Sequence, residues 1–305
     1  MQALDRALAT ALPAVPRPLV RRFADRYMAG ETLDDALALV AALNAEGIRG
    51  TLDVLGESVT SPGQADATER EYRRALEALA ERRLDSGISI KLSALGLEFD
   101  AGVAERHLRA VVECANAHGR FVRIDMEDSR LTDATLGMYR RLRADGHDDV
   151  GIVLQAYLRR SLADVHALAD LAPSVRVVTG IYVEPRRIAY RDMEIVNRNF
   201  TFLLDVLMSQ GSYVGIATHD ERLVWEALRL VDRHGLDRDR YEFQMLLGVA
   251  EDVAELLVDA GHRVRVYVPF GEAWYAYSLR RLKENPAIAG YVARDVLGSM
   301  IHRRR

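Results

Sequence analysis

The sequence predicts an α/β fold: a parallel (β/α)8, TIM-like barrel with an N-terminal helical extension. Three observations predict it. Eight short, β-rich apolar runs follow one another from residue 49 onward: Thr51–Leu55, Ile88–Leu92, Phe121–Met126, Gly151–Gln155, Arg176–Val178, Tyr213–Ala217, Tyr241–Leu246 and Arg263–Val268. Each is followed by an amphipathic stretch of helical spacing, near 66–84, 102–118, 130–144, 160–171, 190–209, 220–234, 250–260 and 272–283. Strand-then-helix units repeated in this way build parallel strands that can close on themselves. Finally, no Gly-x-Gly-x-x-Gly opens any of these helices. That removes the usual dinucleotide signature of the competing open, doubly wound sheet.

Residues 1–48 read as helices only. Segments near 2–12, 17–29 and 32–46 carry apolar residues three and four apart, punctuated by Pro13, Pro16 and Gly30. Thr32 followed by Asp35 is close to a capping box and sets a helix start. There is no linker and no low-complexity stretch. The expected division is a helical segment over 1–48, packed on a barrel over 49–305.

Composition narrows the function classes. The chain has 305 residues, 49% hydrophobic and 28% charged, which suits one soluble globular barrel. A net charge of -4 argues against broad electrostatic binding to nucleic acid. Cys114 is the single cysteine, so no intrachain disulfide can form, which suits a reducing compartment. The N-terminus has no apolar h-region, and no run reaches the roughly 18 apolar residues of a membrane span. The expectation is a cytoplasmic protein. The basic end Arg303-Arg304-Arg305 reads as a frayed terminus; its sharper reading is weak attraction to an anionic membrane surface, placing the protein peripherally on the inner face.

Chemistry in a parallel barrel sits where the strands end. Here strand ends two to eight all carry polar groups: Lys91, Asp125, Gln155, Arg176 with Thr179-Gly180, Thr218-His219-Asp220, Gln244 and Tyr267. A charge at one strand end is usually a solvated loop start. Seven in register converge on one mouth. Lys91 follows the apolar Ile88-Ser89-Ile90 and needs a partner to be buried. Asp125, at the same level of the next strand, is the expected one, in a functional or purely structural ion pair.

Competing site chemistries find little support. The eight histidines form no His-x-His or His-Glu-x-x-His, and there is neither a phosphate loop nor a Gly-x-Ser-x-Gly elbow. Asp125, Glu127 and Asp128 could hold magnesium, but the strand period sends Asp128 away from the other two. In the last helix Glu284 stands four residues after Arg280 and three after Arg281, so one acid can brace both. Tyr267 precedes that arginine pair and places an aromatic at the barrel mouth.

These last residues carry a specific resemblance. Arg280-Arg281-Leu-Lys-Glu284-Asn285 resembles the Arg-Arg-Leu-x-Glu-Asn signature of the proline dehydrogenase family. Tyr267-Val-Pro-Phe-Gly271, Ser89-Ile-Lys91-Leu-Ser-Ala-Leu, Ile124-Asp125-Met126-Glu127, Gln155-Ala-Tyr157, Ala217-Thr218-His219 and Glu242-Phe-Gln244-Met-Leu246 are similar to further family segments, in the family's order. The stretch from Phe23 to Ser58 resembles that of the single-function bacterial enzymes. The resemblance implies a distorted barrel holding FAD at the strand ends, with the final helix over the mouth. It implies that Lys91, Arg280 and Arg281 hold the substrate carboxylate and that Asp125 is an acidic residue beside that lysine. Tyr182, Leu246 and Tyr267 would pack around a proline ring. Met126, Gln155, Thr179, Gly180, Ile181, Thr218 and His219 would contact FAD, and Arg176 would stand near the flavin's reactive nitrogen.

The implied reaction is oxidation of L-proline to 1-pyrroline-5-carboxylate, the first step of proline catabolism, with FAD taking a hydride and a membrane quinone accepting the electrons. The protein then supplies orientation and electrostatics rather than a nucleophile. One departure stands out: the family's strand-five pattern Arg-x-Val-Lys-Gly-Ala-Tyr is here Arg176-Val-Val-Thr179-Gly180-Ile181-Tyr182. Leu247 also stands where relatives often have an aromatic. These differences keep a dehydrogenase of a related cyclic imino acid in view. A methylenetetrahydrofolate reductase relative and a non-catalytic flavin-binding barrel compete with it, since one barrel fold hosts many functions.

Overall fold

The computed structural model describes residues 17–275 together with Tyr277 and Ser278. The helices expected near 2–12 and over most of 272–283, the residues Arg280, Arg281 and Glu284, and the basic C-terminal end lie outside the described residues. Two lead-in helices, α1 (Arg17–Tyr27) and α2 (Leu33–Ala45), precede eight strands: β1 (Arg49–Val54), β2 (Ser86–Ile90), β3 (Val122–Ile124), β4 (Val150–Gln155), β5 (Ser174–Val178), β6 (Tyr213–Ala217), β7 (Tyr241–Leu246) and β8 (Val264–Phe270). All neighbours pair in parallel, and β8 pairs with β1, so the sheet is a closed barrel. The outer helices are α3 (Pro62–Glu81), α4 (Ala101–Ala117), α5 (Thr132–Ala144), α6 (Ser161–Ala167), α7 (Met193–Ser209), α8 (Glu221–His234) and α9 (Glu251–Asp259).

The predicted (β/α)8 class is therefore the observed one, with shifts at element ends. β2 stops at Ile90 and β3 at Ile124, so Lys91 and Asp125 stand one residue past their strands. The ladder still reaches them, because the Asp125 amide donates to the Ile90 carbonyl at 2.8 Å. The stretch expected near 160–171 is α6 followed by a separate 3-10 turn, Ala169–Leu171. β2 and β4 are buried at every position. That is the burial of strands covered by helices outside and by side chains within the barrel.

The lower barrel interior is polar rather than aliphatic. Arg123 donates to the carbonyls of Ile152 (3.0 Å) and Ser174 (2.7 Å), and Arg265 Nε to Glu242 Oε1 (2.7 Å). Burial, reinforced by Arg176, pulls the Arg123 guanidinium down to about 9, still charged at neutral pH. Burial works against ionisation of Glu242, but Arg265 outweighs it and holds this carboxyl down at about 2. These pairs fix side chains below the mouth, where an uncompensated charge would be costly.

The lead-in is fastened to the barrel. Thr32 caps α2 as its spacing with Asp35 predicts: the Asp35 amide donates to Thr32 Oγ1 (3.2 Å), and the Thr32 amide to Asp35 Oδ2 (3.1 Å). Ala36, Leu37 and Val40 of α2 join the main core. The Ala29 amide donates to the Pro269 carbonyl (2.9 Å), and the Gly271 amide to the Gly30 carbonyl (3.1 Å), so the chain after α1 crosses the end of β8. No helix among the described residues is long and apolar enough to cross a membrane.

Candidate active site

A cavity of about 490 Å³ opens at the C-terminal ends of the strands. Its size is that of a small-molecule or cofactor site. All the described candidates line it: Lys91, Asp125, Met126, Gln155, Arg176, the segment Thr179-Gly180-Ile181-Tyr182, Thr218, His219, Leu246 and Tyr267. Strand register is enough to carry them all to one mouth. Arg280 and Arg281, expected there too, lie outside the described residues.

The expected Lys91–Asp125 ion pair is present but long, and a second acid stands closer to the lysine. The Lys91 ammonium donates to Asp53 Oδ1 at 2.7 Å and to the Tyr267 hydroxyl at 3.4 Å, while Asp125 Oδ2 stands 3.9 Å away. Asp53, inside β1, is the close partner. Its carboxylate is fully buried, and Oδ2 has no hydrogen-bond partner among the described residues. Burial pushes the Asp53 carboxyl up, with Lys91 pulling against it. Burial likewise pulls Lys91 down, but the neighbouring Asp53 reverses the sign and holds the ammonium well above its ordinary range.

Asp125 serves a second arm of the network. Oδ1 accepts from Ser89 (2.7 Å) and from Arg176 Nη1 (2.8 Å), and Oδ2 accepts from the Tyr267 hydroxyl (2.8 Å). Arg176 also donates from Nε to Gln244 Oε1, and its guanidinium lies 5.4 Å from the centre of the Tyr267 ring. Burial, then Asp125 and Asp53, push the Tyr267 phenol well above its ordinary range, so it remains a donor. One face of the mouth is thus a fixed run of Lys91, Asp53, Tyr267, Asp125 and Arg176.

The rest of the mouth is set largely by backbone contacts. Gln155 donates to the carbonyls of Met126 (3.0 Å) and Glu127 (2.8 Å), which turns its Oε1 into a buried acceptor with no partner among the described residues. His219 Nε2 accepts from the Leu246 amide at 2.8 Å, so that nitrogen is unprotonated and a neutral ring carries its proton on Nδ1. Gly180 has φ of +109°, and a Cβ there would stand 2.1 Å from Tyr157 Cδ1. Gly180→Ala would displace the 179–182 rim. The expected result is a purified protein with at least about tenfold weaker retention of any cofactor held on that wall, since backbone strain and a buried clash each cost on the order of 1–3 kcal/mol. An unchanged dissociation constant by dialysis would remove the rim from the site.

A magnesium set does not assemble among the described residues. Asp125 holds Arg176, the Glu127 carboxylate accepts from the Ser93 amide at 2.9 Å, and the Asp128 carboxylate faces Arg130. Sequence reasoning missed Asp53. The signal was present, as an acid inside the apolar run Thr51–Leu55, where it cannot lie buried without a cation. Ser89 was missed as well, because a serine in a strand has no distinguishing pattern.

Comparison with known proteins is consistent along the whole barrel. The family model "Proline dehydrogenase" matches residues 36–294. The chain is 40% identical over 278 residues to the proline dehydrogenase of Deinococcus radiodurans, covering 90% of each chain. It is 36% identical over 274 residues to proline dehydrogenase 1 of Bacillus subtilis, again covering 90% of each. Among solved structures, proline utilization A from Bdellovibrio bacteriovorus, inactivated by N-propargylglycine, superposes with a TM-score of 0.82 at 26% identity. That match covers 87% of this chain and 33% of the other, so the chain spans about a third of that larger protein. With the closed barrel, the shared length and the family model in agreement, the chain belongs to the proline dehydrogenase family, a group of oxidoreductases.

Proposed function

We propose that this chain oxidises L-proline to 1-pyrroline-5-carboxylate, using bound FAD, as a single-function enzyme whose lead-in and barrel form one catalytic unit. One observation carries the reading: a single cavity joins a charged end, Lys91 on Asp53, to a wall whose Gln155 acceptor is buried and unpartnered among the described residues. The first suits the carboxylate of a small imino acid. The second suits the N–H edge of a planar cofactor, so the residues present fit a flavin.

In this reading Lys91 binds the substrate carboxylate, joined by Arg280 and Arg281, whose planar forks match a carboxylate's two oxygens. Tyr182, Leu246 and Tyr267 hold the ring in a fixed pose and exclude water from it. FAD, when bound, supplies the acceptor for the two electrons and the hydrogen leaving the ring carbon. Met126, Gln155, the 179–181 segment, Thr218 and His219 would hold it. Arg176, oriented by Asp125 and Gln244, would place a cation where negative charge develops. Passing the electrons to a membrane quinone, from the cytoplasmic side, rests on the family alone.

A second reading has its own support. Ile181 lines the cavity and is half exposed, beside Thr179, where the family pattern quoted above has lysine. A larger or substituted cyclic imino acid would meet that altered rim. The test of both is an anaerobic visible spectrum of the purified protein. A yellow protein that L-proline bleaches is expected. A yellow protein bleached by another cyclic imino acid but not by proline moves the substrate to the second reading, and a protein that binds no FAD overturns both.

A further inference from the structure

Away from the mouth, three metal-binding side chains converge on the outer ring. Glu77 lies near the end of α3, and Cys114 and His118 lie four residues apart at the end of α4. That interval puts the thiol and the imidazole on one helix face. α3 and α4 pack side by side and bring the Glu77 carboxylate to that face. One ligand atom from each residue lies within 4.8 Å of the others. We propose that Glu77, Cys114 and His118 form a site for a zinc-class divalent cation that clamps α3 to α4.

The donor set argues for the cation's class. One sulfur, one nitrogen and one oxygen suit a borderline-soft ion with tetrahedral preference, and leave a fourth position for water. Zinc bonds of about 2.0–2.3 Å set tetrahedral ligands roughly 3.3–3.6 Å apart, so donors within 4.8 Å of one another need to close by no more than about 1.5 Å. Glu77 and His118 are exposed and can turn, while the half-buried Cys114 is the fixed point. Arg73 is the neighbour that opposes a cation, since it hydrogen-bonds the Cys114 side chain. It already shares Glu69 at 3.3 Å, which gives its charge a place to stay once a metal holds the sulfur. Burial pushes the Cys114 thiol up, against the pull of Arg73, so binding displaces the thiol proton.

Cys114 is the chain's single cysteine, so any thiol readout reports this position alone. The experiment dialyses the holoenzyme against micromolar zinc chloride and counts bound zinc by elemental analysis. It then follows alkylation of the thiol by iodoacetamide. One zinc per chain is expected, falling to background in Cys114→Ser and His118→Gln and held about tenfold more weakly in Glu77→Gln. Zinc should slow alkylation at least about tenfold in the wild type and leave His118→Gln untouched, with flavin content the same in all four proteins. Zinc binding that survives all three substitutions overturns the proposal. So does equal protection of the thiol in His118→Gln, which would mean a cysteine acting alone, or an absence of bound zinc in the wild type.

Discussion

Asp53→Asn should lower kcat/KM for proline by at least about a hundredfold, and the deficit should deepen as pH rises. The substitution keeps shape but removes the only carboxylate, among the described residues, within hydrogen-bond distance of the Lys91 ammonium. Stranding one member of a buried pair costs on the order of 3–5 kcal/mol, and each tenfold in rate is about 1.4 kcal/mol. In the wild type Lys91 is held well above its ordinary range, so it stays charged across any working pH. In the variant only the more distant Asp125 carboxylate, at 3.9 Å, still opposes burial, so the ammonium loses its proton more readily on the alkaline side, and KM climbs there first. Retention of the proposed FAD should stay near normal, because Asp53 acts through Lys91. Steady-state kinetics from acid to alkaline pH decide it. A variant within a few-fold of wild type at every pH would leave Asp53 a packing residue only.

Arg176→Lys should lower kcat between about tenfold and a hundredfold and weaken flavin retention. The change keeps the charge and removes the geometry. Arg176 spreads its bonds over Gln244, Asp125 and Ser89, and one ammonium on a flexible stem cannot reproduce that fork. Charge-assisted hydrogen bonds of this kind are worth about 1.5–3 kcal/mol each. Asp125 would keep Tyr267 and Ser89, so the loss should appear in kcat and cofactor affinity more than in KM. Redox titration of the flavin provides the independent check. An unchanged kcat together with an unchanged midpoint potential would place the charge elsewhere.

The architecture was legible because strand–helix alternation is a low-resolution property, repeated eight times over. A boundary error at β2 or β3 does not disturb it. The mouth was legible for the same reason. In a parallel barrel, register alone carries every strand end to one side, and Lys91, Gln155 and Tyr267 needed no side-chain detail to be placed there. Pairing was not legible. β1 and β3 flank β2 on either side, so whether Lys91 meets Asp53 or Asp125 more closely depends on how each side chain turns. Asp53 precedes the end of its strand while Asp125 follows the end of β3, yet the two strands beside β2 bring both to the same lysine. The unpartnered oxygen of Gln155 was equally hidden, because it exists only once the amide has been spent on Met126 and Glu127.

The seam between β1 and β8 also governs the order in which the chain can fold. Arg265 donates to the Gly50 carbonyl at 2.6 Å across 215 residues of sequence, and Arg26 reaches the Gly248 carbonyl across 222. Contacts that distant raise the contact order and slow the approach to the native state. During synthesis, β1 keeps an open edge until residues 264–270 leave the ribosome, and α1 has no β8 end to cross. A nascent chain halted before that point exposes strand edges at β1 and at the last strand made, the kind of surface on which chains associate wrongly. The arrival of β8 therefore decides when β1 is safe.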